Sequence, residues 1–577
     1  MSAELVLAAL GGADLCLKYG AILVEAYRAF KGASDTIKEK ILTFEAMWSR
    51  TRLQIKFLGR VAGSLGEEHY RVQLQVLEML KSKLLLASSK LESVKSKNKS
   101  EAGKGEGVGI SRWKYMMVRN SLDETIESLE RWQRIFDPSW FLMLRVADGV
   151  IDSELSNSAQ APVSEVARGD GGGGSKLVAA QKLRVSIRGD ASDIHVSLPV
   201  DGLDLATAAN IAHSETKLIR RAGGSSKLFA VDAIAFAQNT DPARARFDAE
   251  ALAKKLKHVE YGGGVLPCHG LIKRRDAATK RLSSIDLVFA IPPQLTEHQP
   301  HPQTLRSALQ AGAMPARTSL SAVLGVARQL AEAVSFLHTC DFVHKNVRPE
   351  TVLLFNQELD PAGKWRDSEM GSAYLVGFDS FRGAMSHTAR KGDNDWRRDL
   401  YRHPSRQGLL AHDNYIMQHD VYSLGVCLLE LGVGRSFIEY SEAKGEQQLR
   451  ARPSDVLLDV TAVDKEADKD GAVPATNKAM LQQHPGLGLS ASSGLFSASD
   501  AQRGGVGLKD HLVRLAKARL PARMGDLYTA VVVTCLTCLD RDNGDFGDEE
   551  DICDEDGILI GVRFIERVLL RLNNISV

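Results

Sequence analysis

Residues 342–354 read Phe342-Val343-His344-Lys345-Asn346-Val347-Arg348-Pro349-Glu350-Thr351-Val352-Leu353-Leu354, a polar loop between two short apolar runs. The loop presents an imidazole, a carboxamide and a hydroxyl. A carboxamide has no basic lone pair comparable to a carboxylate's, so Asn346 can orient a hydroxyl but hardly deprotonate it. Further on, Tyr374-Leu375-Val376-Gly377-Phe378-Asp379 closes another apolar run. Gly377 brings no side chain to a metal, whereas Mg²⁺ takes carboxylate oxygens in near-octahedral geometry. Asp379 reaches the same place only if the backbone shifts, and its plain reading is a solvated turn residue. Tyr401-Arg402-His403-Pro404 follows, then His419-Asp420-Val421-Tyr422-Ser423-Leu424-Gly425, the start of an apolar helical run.

In this order and spacing the four stretches resemble the catalytic loop, metal motif, activation-segment end and buried helix of protein kinases. The resemblance implies an α+β bilobal protein-kinase-like domain. A working kinase loop runs His-Arg-Asp-x-x-x-x-Asn, its Asp serving as base and its Asn holding a metal ion. His344 keeps its place, while Asn346 stands for the base and Thr351 for the metal-binding Asn. In the Asp-Phe-Gly motif the order is reversed: Gly377 holds the ligand position, Phe378 the packing position and Asp379 the closing position. Asp420 and Gly425 match the helix that braces the catalytic loop.

Upstream the resemblance thins. Leu228–Phe236 alternates as a strand, but as the third kinase strand it lacks the phosphate-binding Lys. Gly223-Gly224-Ser225-Ser226 makes a turn, and no G-x-G-x-x-G precedes it. Residues 247–258 predict a helix with Phe247, Leu252 and Leu256 on its apolar stripe. Glu250 is either the helix Glu that pairs with the missing Lys or one exposed acid on a charged face. With base, metal ligands and Lys all replaced, the resemblance implies a pseudokinase. No cofactor is expected; ATP binding is possible but unsupported.

The N-terminal third is helical in pattern. Residues 2–29 carry apolar runs broken by Asp14 and Lys18, which four-residue spacing places together as one ion pair on a helix. From Leu5 to Val24 the segment has about the 20-residue length of a bilayer span, yet Asp14, Lys18, Glu4 and Glu25 argue for the core helix of a soluble bundle. No basic region precedes it as in a signal peptide. Ser34 caps an amphipathic run through Phe44, Met47, Trp48, Ile55, Phe57 and Leu58. His69–Val94 carries Val72, Leu77, Leu80, Leu84 and Leu85, followed by a basic, Gly-rich loop at 95–109. Trp113–Val150 predicts two further helical runs around Trp132, Phe136, Trp140 and Leu144, completing a bundle of four or five helices.

The opening MSAELVLAALGGADLCLKYG and the pattern FEAMWSRTRLQIKFL resemble the HeLo domain of fungal cell-death proteins. The C-terminal LKDHLVRLAKARLPARMGDLYTAVVVTCLTCLD is similar to their kinase-like domains. The whole order is similar to the mixed lineage kinase domain-like executioner of necroptosis. The fold expected is therefore multidomain: an N-terminal all-α HeLo-like bundle (1–155), a flexible linker (156–204) and the kinase-like domain (205–577). What the resemblance implies is a non-catalytic cell-death or heterokaryon-incompatibility effector, cytoplasmic at rest and at the plasma membrane when activated. Its partners would be further copies of itself, membrane lipids and an upstream signalling protein, with Leu5, Leu7, Leu10, Asp14 and Lys18 in the effector helix. A signalling scaffold whose bundle binds partner helices, and an atypical active kinase using substitute residues such as Asp379 or Asp341, stay open as alternatives.

The composition of the 577 residues fits this division. The chain is too long for one core, and a net charge of +1 gives no pull toward nucleic acid. Seven scattered cysteines, an odd number, predict reduced thiols, and Cys535-x-x-Cys538 lies in an apolar run that reads as helix packing rather than zinc. Residues 157–174, ending in four glycines, predict a flexible linker. The stretch at about 442–507, rich in Ala, Gly, Ser and charge, predicts a low-order insertion. The acidic run beginning at Asp540 fails the EF-hand pattern, because Asp545 stands where the loop needs Gly. It predicts a solvated loop, and no metal site is expected.

Overall fold

The computed structural model describes residues 3–30, 34–101, 112–146, 148–160, 173–188, 194–223, 227–236, 241–257, 259, 263–292, 295, 302–310, 318–355, 370–378, 382–383, 395–408, 414–442, 449–458, 507–547 and 558–576. An N-terminal helical region is followed by a sheet-containing α+β region. Two compact units divide the chain: Met1–Asp190 with Cys553–Glu566, and Ala191–Ile552 with Arg567–Val577.

The first unit is built on α1 (Ala3–Arg28), α2 (Asp35–Val61), α3 (Glu67–Glu101) and α4 (Arg112–Leu142). Ser34 starts α2 by accepting the N–H of Ile37 at 3.2 Å. Apolar residues at helical spacing then face inward, and Phe44, Trp48, Phe57, Trp132, Phe136 and Trp140 are all buried. Tyr27 meets Phe44 edge-on at 5.3 Å, and the Trp132 indole donates to the Val76 carbonyl at 2.7 Å. Gly20 lies under the Trp48 ring, in the space a Cβ would need.

Three expectations for this unit need correction. Residues 113–150 were expected to hold two helical runs, but α4 is one 31-residue helix with Pro138 inside it. Leu85 is an exposed residue of α3 rather than part of its buried stripe. The expected flexible linker (156–204) contains the end of α5 (Gly149–Gln160) and all of α6 (Gly173–Ile187). Leu177, Ala180 and Leu183 give α6 a buried stripe. Its Arg184 donates to the carbonyls of Leu144, Val146 and Asp148 at 3.0–3.1 Å. Those carbonyls lie in the turn between α4 and α5, so the arginine ties that turn to α6.

In the second unit, β1 (Leu203–Asn210), β2 (Lys217–Arg221), β3 (Leu228–Ala235), β4 (Cys268–Arg275) and β5 (Leu282–Ala290) form an antiparallel sheet in the order β1-β2-β3-β5-β4. Residues 196–198, also within the expected linker, lie along β4: Leu198 N–H donates to Leu271 O, and Leu271 N–H to Val196 O, both at 2.8 Å. Helix α7 (Pro242–Leu256) buries Ala249, Leu252, Ala253 and Leu256. Phe247, expected on that stripe, is 66% exposed, because two residues before Ala249 is about 200° around a helix.

The rest of this unit comprises β6 (Gln303–Thr304), α8 (Leu305–Gln310), α9 (Leu320–Thr339), β7 (Phe342–Val343), β8 (Val352–Phe355), β9 (Ser372–Leu375), β10 (Arg382–Gly383) and α10 (Met417–Val433). These are followed by β11 (Ile438–Glu442), β12 (Leu449–Pro453), α11 (Leu508–Arg519) and α12 (Asp526–Leu536). Helix α9 is long and apolar enough to cross a membrane, but 67% of its apolar window is buried within the protein. Burial of that kind marks a core helix. Strands β11 and β12 pair antiparallel from Ile438↔Pro453 to Glu442↔Leu449. The start of the expected low-order insertion is therefore a hairpin, while residues 459–506 lie outside the described residues. In the described part of the acidic run Arg541, Asp542 and Gly544 are exposed, while Asp545 accepts from both terminal nitrogens of Arg571 at 2.6 and 2.7 Å.

Candidate functional site

The loop after β7 is shaped by one buried carboxylate. Asp420, near the start of α10, accepts the backbone N–H groups of His344 at 2.7 Å and Lys345 at 2.9 Å. The Tyr415 hydroxyl donates to it at 2.8 Å, and His338 Nε2 lies 3.2 Å away. Burial works against its charge, but His338 and the His344 contacts outweigh that and hold Asp420 below the usual carboxylate range. Lys345 takes a positive φ of 66° at this turn. Gly425 sits one helical segment on, where a Cβ would come within 2.8 Å of the Cys535 Cβ, so it sets the approach of α10 to α12.

Asn346 and Thr351 both face backbone. Asn346 Nδ2 donates to Gly377 O at 3.2 Å, and its Oδ1 accepts from Arg348 Nε at 2.8 Å. The Thr351 hydroxyl lies 2.7 Å from Asn346 O and 2.9 Å from Arg348 O. Gly377, with φ 82°, lies so close to Thr351 that the threonine methyl occupies the space a Cβ would need. No larger residue fits at 377 while Thr351 stays in place. Phe378 is buried, 5.3 Å from Phe289 and 4.8 Å from His344 ring to ring. Asp379 lies outside the described residues.

The decisive residue was not singled out from the sequence. Asp232, buried in the middle of β3, accepts the N–H of Gly377 at 2.7 Å and of Phe378 at 3.1 Å through one oxygen. Its other oxygen accepts the Thr216 hydroxyl at 2.5 Å. Two successive backbone N–H groups aimed at one point make an anion-binding nest, and here the chain's own carboxylate fills it. The signal was present in the sequence: an acid at the centre of the apolar run LFAVDAIAF must find partners if it is buried.

The loop joining β1 to β2 is tied to other parts of the same unit. The Ala212 carbonyl accepts the Thr304 hydroxyl at 3.0 Å, and the His213 ring lies 4.6 Å from that of Tyr440. Glu250 does not reach β3. It pairs with Lys273 of β4 at 2.7 Å and with Arg246 at 3.0 Å.

Arg306 of α8, also missed, is fully buried. It donates to Glu350 at 2.9 Å, to Glu430, to Ser436 Oγ at 2.7 Å and to the Tyr401 hydroxyl. Tyr401 in turn donates to Glu430 at 2.6 Å. Nothing in its sequence neighbourhood marks it, since its partners lie 44 and 124 residues away.

In the helical unit, Leu5, Leu7 and Leu10 are helical residues of α1 whose side chains are not described. Asp14 and Lys18 are exposed, and among the described residues no Asp14–Lys18 ion pair forms. The expected pairing is therefore corrected: both heads stay in water, where a surface pair gains little. No cluster of three or more metal-ligating side chains occurs among the described residues, and their six cysteines are free and buried.

No family model matches the chain. It is 25% identical over 128 residues to the probable serine/threonine-protein kinase FMP48 of Saccharomyces cerevisiae, a match covering 22% of this chain. The chain spans about a third of that relative's length, 33%. The similarity marks a kinase-like relationship.

Proposed function

We propose that the protein is a non-catalytic effector of regulated cell death or incompatibility, in which a bilobal pseudokinase senses a signal and latches a membrane-targeting helical bundle. The observation that carries the first half is the Asp232 carboxylate seated on the N–H groups of Gly377 and Phe378. A kinase carries a phosphate-binding lysine on its third strand; here that strand offers a buried acid of opposite charge. Asn346 and Thr351 spend their polar atoms on backbone and on Arg348, and Gly377 has no ligand to give. Loss of one proton-transfer or charge-stabilising group costs about 10²–10⁴ in rate, and several are replaced together.

The membrane half rests on the resemblance of residues 1–155 to HeLo domains and on α1, whose length supports a spanning or interfacial helix. Charge at a bilayer centre costs about 2.5–3.5 kcal/mol per residue on insertion scales, so Asp14 and Lys18 favour insertion as an oligomer with a shared polar interior.

The test pairs two assays. Full-length protein with Mg²⁺ or Mn²⁺ transfers no phosphate to itself or to generic substrates, and ATP gives no metal-dependent rise in melting temperature. Residues 1–155 expressed in yeast reach the membrane and kill, and charged replacements of Leu7 and Leu10 abolish both. Turnover that vanishes in Asp379→Ala would instead establish the atypical-kinase reading, which the similarity to a probable kinase favours. A folded 1–155 fragment that never leaves the cytosol would establish the scaffold.

A further inference from the structure

The helical unit is completed by residues from the far end of the chain. Segment 558–566, made of α13 (Ile558–Phe564) and the start of the π-helical turn Ile565–Leu569, packs on α3 and α4. Ile560, Val562, Phe564 and Ile565 are buried. Gly561 lets the segment approach α4, because a Cβ there would lie 2.9 Å from Leu142. Arg563 pairs with Glu68 at 3.1 Å, and Glu566 lies 3.8 Å from Arg71.

These contacts fall at one end of the bundle. Cys16 of α1 meets Leu77 of α3, while Tyr27 meets Ser121 and Thr125 of α4. Because the Trp132 indole reaches Val76, α4 runs antiparallel to α3, so α1 runs parallel to α3. The Leu5–Leu10 half of α1 therefore stands at the Glu67–Arg71 end, where segment 558–566 sits.

The polar part of the attachment is weak, and the buried apolar side chains supply most of it. Both ion pairs are partly exposed, with Arg71 at 56% and Glu68 at 31%, and such pairs contribute little in water. A π-helical turn is an irregularity that recurs at functional sites, and this one spans the point at which the chain passes to the other unit, between Glu566 and Arg567.

We infer that segment 558–566 is a C-terminal latch on the bundle, holding in place the end that contains the N-terminal half of α1. The proposal rests on the effector reading only for what happens after release; the latch itself is a property of the resting fold. Lifting the segment uncovers the start of α3 and the end of α4, and α3 is the helix against which α1 packs.

Hydrogen exchange on full-length protein tests it. Arg563→Glu should speed amide exchange in α1 and at residues 67–71 by roughly fivefold to tenfold, while β3, β5 and α10 stay protected. The charge swap Glu68→Arg with Arg563→Glu should restore the wild-type rates. Gly561→Leu, which meets Leu142, should act like the single charge reversal, and Arg563→Gln serves if either fails to fold. The latch is overturned if 558–566 exchanges faster in these variants while α1 keeps its protection. Faster exchange in α1 without toxicity would keep the latch and sink the effector reading.

Discussion

The helical unit and the α+β unit hold charge inside their folds in opposite ways. In the bundle, Lys40–Asp123, Arg50–Asp137 and Arg60–Glu154 tie helices together from positions between 22% and 44% exposed. In the α+β unit, Arg306, Glu350 and Glu430 are between 0% and 5% exposed. Pairs in water contribute little and reform readily; a buried pair that loses a partner leaves an unsolvated charge behind. Loss of a partner in the first set leaves a charge that water can solvate, and in the second one that water cannot reach.

The largest effect should come from Arg306→Met. The replacement keeps much of the volume but leaves Glu350 and Glu430 facing each other without a cation. Loss of one member of a buried ion network costs about 3–5 kcal/mol, visible as a lower urea midpoint of the α+β unit. Burial pushes the Glu350 carboxyl up, but Arg306 and then Arg348 outweigh it and hold Glu350 below the usual carboxylate range. That stability is lost from the wild type as pH falls, whereas in the variant protonation relieves the two buried carboxylates, so its deficit should shrink on acidification. A loss under about 1 kcal/mol would break the contrast between the units.

Next in size is an acid effect in the bundle. His69 is buried with Nε2 3.1 Å from Ser139 O, and burial lowers its pKa to about 4, with Ser139 opposing. The unfolded chain, with pKa near 6.5, binds the extra proton first. Stability from a neutral His69 is thus fully present above about pH 6.5 and is lost as pH falls toward 4, by about 3 kcal/mol in all. Hydrogen exchange in α3 and α4 between pH 7 and pH 4.5 should show the loss, and His69→Gln should flatten it.

Gly20→Ala comes third. Its new methyl group meets the Trp48 indole, and overpacking of this kind costs about 1–3 kcal/mol. Because α1 carries the glycine, the strain should appear as faster exchange in α1 before α4.

Much of this was legible in the residues themselves. The helical bundle followed from apolar spacing, and Asp420, His344 and Asn346 lie in one assembly whose local order the loop sequence carries. What escaped has a common physical cause. Arg184 and Arg306 are ordinary arginines in sequence, and only the carbonyls and carboxylates that the fold gathers around them reveal their work. Residues 173–187 were hidden by the glycines before them, which mark flexibility only until Leu177, Ala180 and Leu183 find a surface to cover. Asp232 was the avoidable miss, since a buried acid in a strand must be answered somewhere.

The smallest expected effect tests the bundle side of the contrast directly. Lys40 joins α2 to α4 through Asp123, with the two side chains 27% and 35% exposed. Water competes for both heads, and holding a long lysine in one rotamer costs side-chain entropy, so Lys40→Ala should lower bundle stability by less than about 1 kcal/mol. Screening makes the same point without mutation. At about 1 M salt the Debye length is about 3 Å, so wild type and Lys40→Ala should converge in urea midpoint. If Lys40→Ala costs more than about 2 kcal/mol, or the difference survives high salt, the pair behaves as a buried one. The bundle would then be locked by charge as the α+β unit is, and release of α1 would need more than the lifting of a short C-terminal segment.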